Sequence, residues 1–542
     1  MPKRWTWKKR SKEELSGGGG GATGSSSTNK KSQTSTSFLP APSSASRYSG
    51  EEYITGVREK PIQTLLSALA ATHPERSRIP VGNCVVHWFR GDLRVADNSA
   101  LSLASQAIQE AGGRVGLVGL YVLSPQDLEA HVVSPAKLDF ALRSLKILKE
   151  DLESKFGVPL WIEVVEKRKD VEGRVLKLCR QWKAGRLLVN MEYEVDELRR
   201  DAKIVKDGVG CWISARHRSG TRIISERLIL PSSTRLYPPA PPGKALEGKE
   251  QAEYLASLYP AGEHAAQARL KKFIKDRVND YHEDRNGLAD NGTSMLSVHF
   301  ASGTLSARQA VSAARDANAL KVLNGGSKGI QSMNKPLKLR YSTIPWPETP
   351  LSESHFRAFC IGHTGYPVID AAIRQLLKTK YMHNRARIIV ASFLIKDLLI
   401  DWRRAERFFM EHLVDGDFAS NNGDWGRCAG TGVNPQPYFR IFNPLRQSLK
   451  FDPRGEYIRT WVEELRDATQ EGRALHAPFE VLGEEEVKKI RYVAPLVEHN
   501  VARKRCLEVY KGVQMTAEKA GMYNNNNNKQ EEGGAGGASS GK

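Results

Sequence analysis

This sequence predicts an α/β domain on a doubly wound parallel sheet, followed by a mostly α-helical domain. Three observations predict it. From about residue 83, short β-rich runs alternate with helical stretches. From about residue 265 to residue 512, strand signals nearly vanish while apolar residues recur at three- and four-residue spacing. And 542 residues are too many for one hydrophobic core, so two domains plus tails is the expected division.

The strand runs are Cys84–Phe89, Val115–Leu123, Trp161–Glu166 and Leu187–Tyr193. Between the second and third, Leu138, Leu142, Leu145, Leu148 and Leu152 mark one buried helix face. Such alternation calls for parallel strands with helices on both faces. Ligands of these sheets sit at the carboxyl ends of the strands, but the Gly-x-Gly-x-x-Gly dinucleotide fingerprint is absent from residues 80–210. The α/β domain is placed at residues 80–210. Residues 211–262 read as an exposed linker, with Arg216–Arg222 and the proline-rich Tyr237–Gly243 as its signals. The helical domain is placed at 263–512, with helical periodicity over Ala265–Tyr281, Ser306–Ala319, Pro367–Lys378, Asn384–Asp401 and Trp402–Val414.

Both ends are low in complexity. Residues 1–50 combine a basic opening, Gly17–Gly21 and a Ser/Thr-rich stretch, and they read as a disordered tail, as do residues 513–542 with the run Asn524–Asn528. Residues 1–32 hold eight Lys/Arg and two Glu. A nuclear-localisation signal and a plain solvated basic tail fit that stretch equally, so the nucleus is the expected location, with mitochondrion or cytoplasm as alternatives. A mitochondrial presequence fits less well, because Glu13 and Glu14 interrupt the basic run.

Lys plus Arg number 81 against 61 Asp plus Glu, a formal charge of +20 that favours a polyanionic partner. Charge alone does not separate nucleic acid from an anionic surface or from simple solubility. No stretch approaches the ~20 apolar residues of a membrane span, so no membrane partner is expected. The six cysteines lie far apart, without CxxC pairs or zinc spacing, and read as reduced thiols with no metal site.

Four segments carry a family resemblance. They are Val85–Asn98; Gly292–Ser297 with Gly303–Ser306; Gly365–Gln375 continuing through Met382–Arg385; and Lys396–Trp402 through Asp415–Gly423 to Pro437–Pro444. In this order they resemble the photolyase/cryptochrome family, most closely the fungal enzymes that act on cyclobutane pyrimidine dimers. The likeness covers roughly residues 80–210 and 263–512. It implies an antenna role for the α/β domain, an FAD-binding role for the helical one, and damaged DNA as partner of a monomer. The implied activity is deoxyribodipyrimidine photo-lyase chemistry: excited reduced FAD gives an electron to the dimer, the cyclobutane bonds break, and the electron returns.

The resemblance also assigns residues. Thr293, Ser294, Met295, Leu296 and Ser297 match flavin-phosphate contacts at what reads as a helix start, where backbone N–H groups favour an anion; read alone, they would be an ordinary Ser/Thr cap. Tyr281, Asn384, Arg387, Asp415, Gly416 and Asp417 match further flavin contacts. Asn421 matches an amide facing flavin N5, able to donate or accept a hydrogen bond. Trp346, Trp402 and Trp425 match the chain that relays electrons to the flavin, although buried tryptophans usually just fill space. A lesion flipped from the duplex needs a basic face to hold its phosphates. Residues 371–410 carry nine Lys/Arg against three acids. Asn384, Arg385, Arg440, Gln447 and Lys450 are the candidate DNA contacts, and for any single Arg a plain surface charge fits as well. For the antenna, a folate or deazaflavin type is implied, with Glu197 in Tyr193–Glu197 resembling the folate stretch.

The sequence departs from the family in places. A helix of the type Trp-x-x-Glu-x-x-Trp-Arg, which supplies lesion-pocket and flavin-cage residues, falls between Gln331 and Met333 and is absent. Arg427 stands for an aromatic residue, Ile388 for Met and Tyr381 for Trp. The approach to the linker in 211–245 is also unlike the family. These departures fit a mis-spliced coding sequence, a degenerate photolyase or a cryptochrome-like photoreceptor without repair. A DNA-binding protein without flavin is the remaining alternative.

Overall fold

The computed structural model describes residues 59–208, 212–214, 238–278, 280–290, 292–317, 344–431, 439–467 and 472–519. The basic tail, residues 211 and 215–237 of the expected linker, and the departure at Gln331–Met333 lie outside them.

The first helix, α1 (Pro61–Ala71), opens on a proline at its first position, where no N–H partner is needed. It buries Leu65 and Ala68. Strand β1 (Cys84–Phe89) follows, with all six residues buried, as a strand covered on both faces requires. Next come α2 (Ser99–Glu110), β2 (Gly116–Leu123), α3 (Pro135–Phe156), β3 (Leu160–Val164), α4 (Val171–Gln181), β4 (Ala184–Leu188), α5 (Val195–Asp207) and the edge strand β5 (Trp212–Ser214). The strands run parallel in the order β3-β2-β1-β4-β5. The period of two along β1 divides the core: Cys84, Val86 and Trp88 pack with α1, α4 and α5, while Val85 and Phe89 pack with α2 and α3. The leucine face of α3 buries Leu138, Leu145, Leu148 and Leu152, and leaves Leu142 half-buried.

Three strand expectations hold to within a few residues. The fourth is corrected: β4 ends at Leu188, and residues 189–194 form the loop after it. Asn190 of that loop helps to fill the crevice between β1 and β4. Its amide donates to Asn98 Oδ1 at 2.8 Å, and Arg90 pairs with Asp201 at 2.8 Å. Asp92 accepts from Arg90 N at 2.8 Å and from Asn98 Nδ2 at 3.0 Å. Burial alone would raise its pKa, but His87, the Arg90 N–H and the Asn190 amide hold the carboxyl below its usual range.

Residues 211–262, read as a linker, contain β5 and the helix α6 (Lys249–Leu258). Leu255 of α6 and the following Tyr259 are buried, so this part of the connection belongs to the core. The helical half continues with α7 (Gly262–Asp276), α8 (Ala307–Ala317), α9 (Pro350–Cys360), α10 (Pro367–Thr379) and α11 (Asn384–Ser392). The stretch expected as one helix over Asn384–Asp401 is broken: a π turn covers Phe393–Asp397, and Leu399 adopts a left-handed φ of 54°. Asp401 then caps α12 (Trp402–His412), its carboxylate accepting from Arg403 N. After α12 come α13 (Phe418–Ala429), α14 (Pro444–Phe451) and α15 (His499–Lys519). The last runs seven residues into the stretch read as a C-terminal tail.

The two halves are tied along a polar seam. Arg94 donates to Gly303 O at 2.9 Å, Arg308 pairs with Asp97 at 3.0 Å, and Glu263 accepts from Val95 N at 2.7 Å. Gly303 has a φ of +68°, and a Cβ there would lie 2.0 Å from Gly91 O, so only glycine fits. No described helix is long and apolar enough to cross a membrane.

Candidate functional site

Helices α11, α12 and α13 shape one cleft, lined among others by Asn384, Arg387, Ile388, Phe409, Asn421 and Trp425. His383 caps α11, its Nδ1 accepting from Arg385 N at 3.1 Å. That leaves Nε2 carrying the proton, buried and without a partner among the described residues. Burial and the neighbouring Arg387 and Arg385 push His383 down to about 4, so the ring is neutral.

Arg387, one turn along α11, is the electrostatic centre. Its Nη2 spans both oxygens of Asp415 at 2.8 Å, and its Nε donates to Met382 O at 2.8 Å. Burial alone would lower its pKa, but the Asp415 charge outweighs that and raises it. The guanidinium also lies 5.4 Å from the Tyr381 ring.

Asn421 sits in the first turn of α13. Its amide nitrogen donates to the Glu406 backbone carbonyl at 2.9 Å and to Glu406 Oε1 at 3.2 Å. Both contacts are to acceptors, so the amide oxygen is the atom left for a ligand. Sequence reasoning did not find Glu406, which stands fifteen positions earlier on α12. Trp425 is buried and packs edge-on against Phe409 with centroids 5.1 Å apart. Trp346 and Trp402 are partly buried against the same hydrophobic cluster, so all three tryptophans border one core.

The Thr293–Ser297 strip is linked to this region through Tyr381, whose ring lies beside Arg387. Thr293 hydrogen-bonds Tyr381, and Met295 shares a small cluster with Tyr381, Val414 and Val298. Met295 adopts a φ of 50°, and Ser294 Oγ accepts from Leu296 N at 3.4 Å. Leu296 is anchored in a cluster with Leu270 and Leu305. The helix expected here is one short turn, Ser297–Ala301. Ser297 Oγ is buried with no partner among the described residues. A buried hydroxyl without a partner is costly, and a ligand oxygen would satisfy it.

The remaining expected contacts are less convergent. Tyr281 is exposed and packs edge-on against Phe273 at 5.4 Å. Asp417 caps α13, accepting from Ser420 N at 2.8 Å, and Gly416 O accepts from Lys137 of α3 at 2.6 Å. Glu197, the resemblance's folate residue, is buried and meets His131 Nε2 at 3.0 Å, with Asp127 nearby.

Two of the expected basic contacts share one ring, while Arg440 lies 5.6 Å from the centroid of another, Phe442. Arg385 stands 4.5 Å from the centroid of Phe451, and Lys450 Nζ 5.4 Å from it. Arg385 also donates to Asn286 Oδ1 at 2.6 Å. Its pKa is lowered by burial and by the charges of Arg285 and Arg440, so both guanidiniums act on Arg385. Arg285 and Phe451 were not singled out from sequence. Gln447, half-buried on α14, shares no described contact with this group. Arg427 reaches Asp424 at 3.5 Å.

The doubly wound α/β domain is braced against a helical domain whose cleft carries a locked guanidinium, a directed amide and a buried indole. Comparison with known proteins gives the family. The profile described as "DNA photolyase" matches residues 85–219, and that described as "FAD binding domain of DNA photolyase" matches 326–512. The chain is 46% identical to the deoxyribodipyrimidine photo-lyase of Neurospora crassa, over 87% of this chain and 88% of that one. It is 36% identical to the enzyme of the same name from Vibrio cholerae, over 78% of this chain and 98% of that one. Among solved structures, a class III photolyase from Agrobacterium tumefaciens aligns with a TM-score of 0.63 at 28% identity, covering 80% of this chain and 98% of that one. This chain belongs to the DNA photolyase family.

The donor set suits FAD. Ser297 offers an unpartnered buried hydroxyl, Arg387 a fixed positive charge at the cleft, and Asn421 an oriented amide.

Proposed function

We propose that this chain is an FAD-dependent DNA photolyase that splits cyclobutane pyrimidine dimers with blue light. The observation that carries the reading is the convergence of Asn384, Arg387, Asn421 and Trp425 on one cleft, with Arg387 locked by Asp415. When bound, reduced FAD supplies a light-driven electron to the dimer and takes it back after ring opening, so no net redox change occurs.

The chain's own residues do the rest. Ser297, with Thr293 and Ser294, holds the phosphates. Arg387 sits beside the ring and favours its negatively charged form, while Asp415 fixes the guanidinium in place. Asn421, aimed by Glu406, presents its carbonyl oxygen to a ring N–H. Trp425, Trp402 and Trp346 pass electrons inward through the shared core. The basic rim of Arg285, Arg385, Arg440 and Lys450 takes the phosphates of damaged DNA, and the protein acts as a monomer. The basic stretch within residues 1–32 directs it to the nucleus, which relocation of a reporter fused to that stretch would test.

The test is an absorption spectrum of the purified chain followed by a light-dependent repair assay on dimer-containing DNA. Flavin bands with repair are expected. Flavin without repair would favour a photoreceptor, the outcome to which the absent Trp-x-x-Glu helix between Gln331 and Met333 points. A colourless protein would end the flavin reading.

The DNA rim has its own signature. Replacing Arg385 and Arg440 together by Ala should flatten the salt dependence of DNA binding by about two units of log–log slope, at roughly 0.9 per lost phosphate contact. Titration of a labelled duplex at several salt concentrations reads it. An unchanged slope would remove both residues from the interface.

A further inference from the structure

The loop that carries the Arg387 partner is gripped from the other domain. Residues 413–417 join α12 to α13. The Leu413 carbonyl accepts from Ser134 Oγ at 2.7 Å, and the Gly416 carbonyl accepts from Lys137 Nζ at 2.6 Å. Both donors belong to the start of α3 in the α/β half. Ser134 is buried and caps that helix, its Oγ accepting from Lys137 N at 3.0 Å, so the cap and the grip are one arrangement. Between them, Val414 is buried against Ala136 and Phe140 of α3, and its N–H donates to Lys380 O at 2.8 Å.

Lys137 also stands in a negative setting. The carboxylates of Asp417, Glu194, Asp415 and Glu192 all act on its ammonium, two from each half of the molecule. Asp415 already serves Arg387 and Asp417 caps α13, so their charges are fixed at this loop.

We propose that Lys137 is a positioning residue for the flavin, contributed by the α/β domain. Its ammonium pins the Asp415–Asp417 loop and offsets the field of the four carboxylates. The proposal rests on the flavin reading above. The physics has two parts. A charge-assisted hydrogen bond to a loop carbonyl fixes the groups on either side of that carbonyl. Without the ammonium, Asp415, Glu192 and Glu194 keep Arg387, Arg90 and His131 as partners, but the loop carries one positive charge fewer, which opposes the negative charge that a flavin gains on reduction. Burial depresses the lysine pKa, and the four acids offset only part of that.

The test compares Lys137→Gln and Lys137→Arg with the wild-type full-length chain. FAD affinity is read by fluorescence on reconstitution, the flavin midpoint potential by spectroelectrochemistry, and the melting temperature on the flavin-free protein. Lys137→Gln should weaken FAD binding by about tenfold, the usual cost of a lost charged hydrogen bond, and lower the midpoint potential. Lys137→Arg should restore most of both. The flavin-free melting temperature should move little, because Lys137 is half-buried and its loss leaves no cavity. Wild-type affinity and potential in Lys137→Gln would overturn the proposal, as would a loss that Lys137→Arg fails to rescue and that tracks melting alone. A wild-type chain that takes up no flavin would overturn the flavin reading and this proposal with it. A flavin-loaded wild type beside an unaffected Lys137→Gln would overturn the proposal only.

Discussion

Arg387→Leu should leave the purified protein nearly free of flavin and less stable by about 3 kcal/mol, the lower end of what breaking a buried ion pair costs. The side chain of Asp415 is 2% exposed, and Arg387 is its sole described charged partner within salt-bridge distance. Removing the guanidinium leaves that carboxylate buried without its ion-pair partner, with only the more distant Lys137 ammonium, bonded to Gly416 O, to offset it. The loop would then lose its orientation, because Arg387 also ties it to Met382 O at the head of α11. The measurements are the ratio of flavin to protein absorbance and a denaturant melt. The double variant Arg387→Leu, Asp415→Leu separates the two effects: stability should largely return, since both charges are gone, while flavin binding should not. Wild-type flavin content in the single variant would show that Arg387 lies outside the cofactor site.

Trp425→Phe should abolish light-driven reduction of the flavin while leaving repair by chemically reduced protein near its normal level. Trp425 is the buried member of the three tryptophans and is the one lining the cleft. Phenylalanine keeps the contact with Phe409 and most of the volume, so the fold should tolerate it. Indole is far easier to oxidise than a phenyl ring, so the relay should fail for electronic reasons alone. Transient absorption under blue light reads the first effect, and a repair assay after dithionite treatment reads the second. Loss of both activities would assign Trp425 a structural role, and retention of both would place the electron path elsewhere.

The fold was readable wherever a pattern repeats locally. The apolar run of β1 and the leucine face of α3 each declare themselves within one segment, because burial on two faces or one stripe shapes composition directly. Elements were missed where the signal was short or masked by its neighbours. β5 is three residues long, and α6 lies just after a proline- and glycine-rich stretch that reads as linker. The π turn at Phe393–Asp397 cannot be told from helix by periodicity, since its apolar residues are buried all round. The cleft divides in the same way. Arg387, Asn421 and Trp425 were legible only through the register of a recognisable motif. Glu406, Arg285 and Lys137 gave no signal, because their importance lies in contacts with residues distant along the chain.

The backbone contact between Gly91 and Gly303 sets a fixed clearance between the halves of the molecule. A side chain can swing aside from an intruder, but a peptide carbonyl cannot. The single methyl of Gly303→Ala would therefore force the two halves apart by roughly 1 Å or more to restore van der Waals distance. Arg94, Asp97 and Arg308 bond across this same joint, and Ser297 lies only six residues upstream of it. The joint thus acts as a spacer of zero thickness: the α/β half sets the height of the strip that carries Ser297, and even the smallest thickening would be felt there.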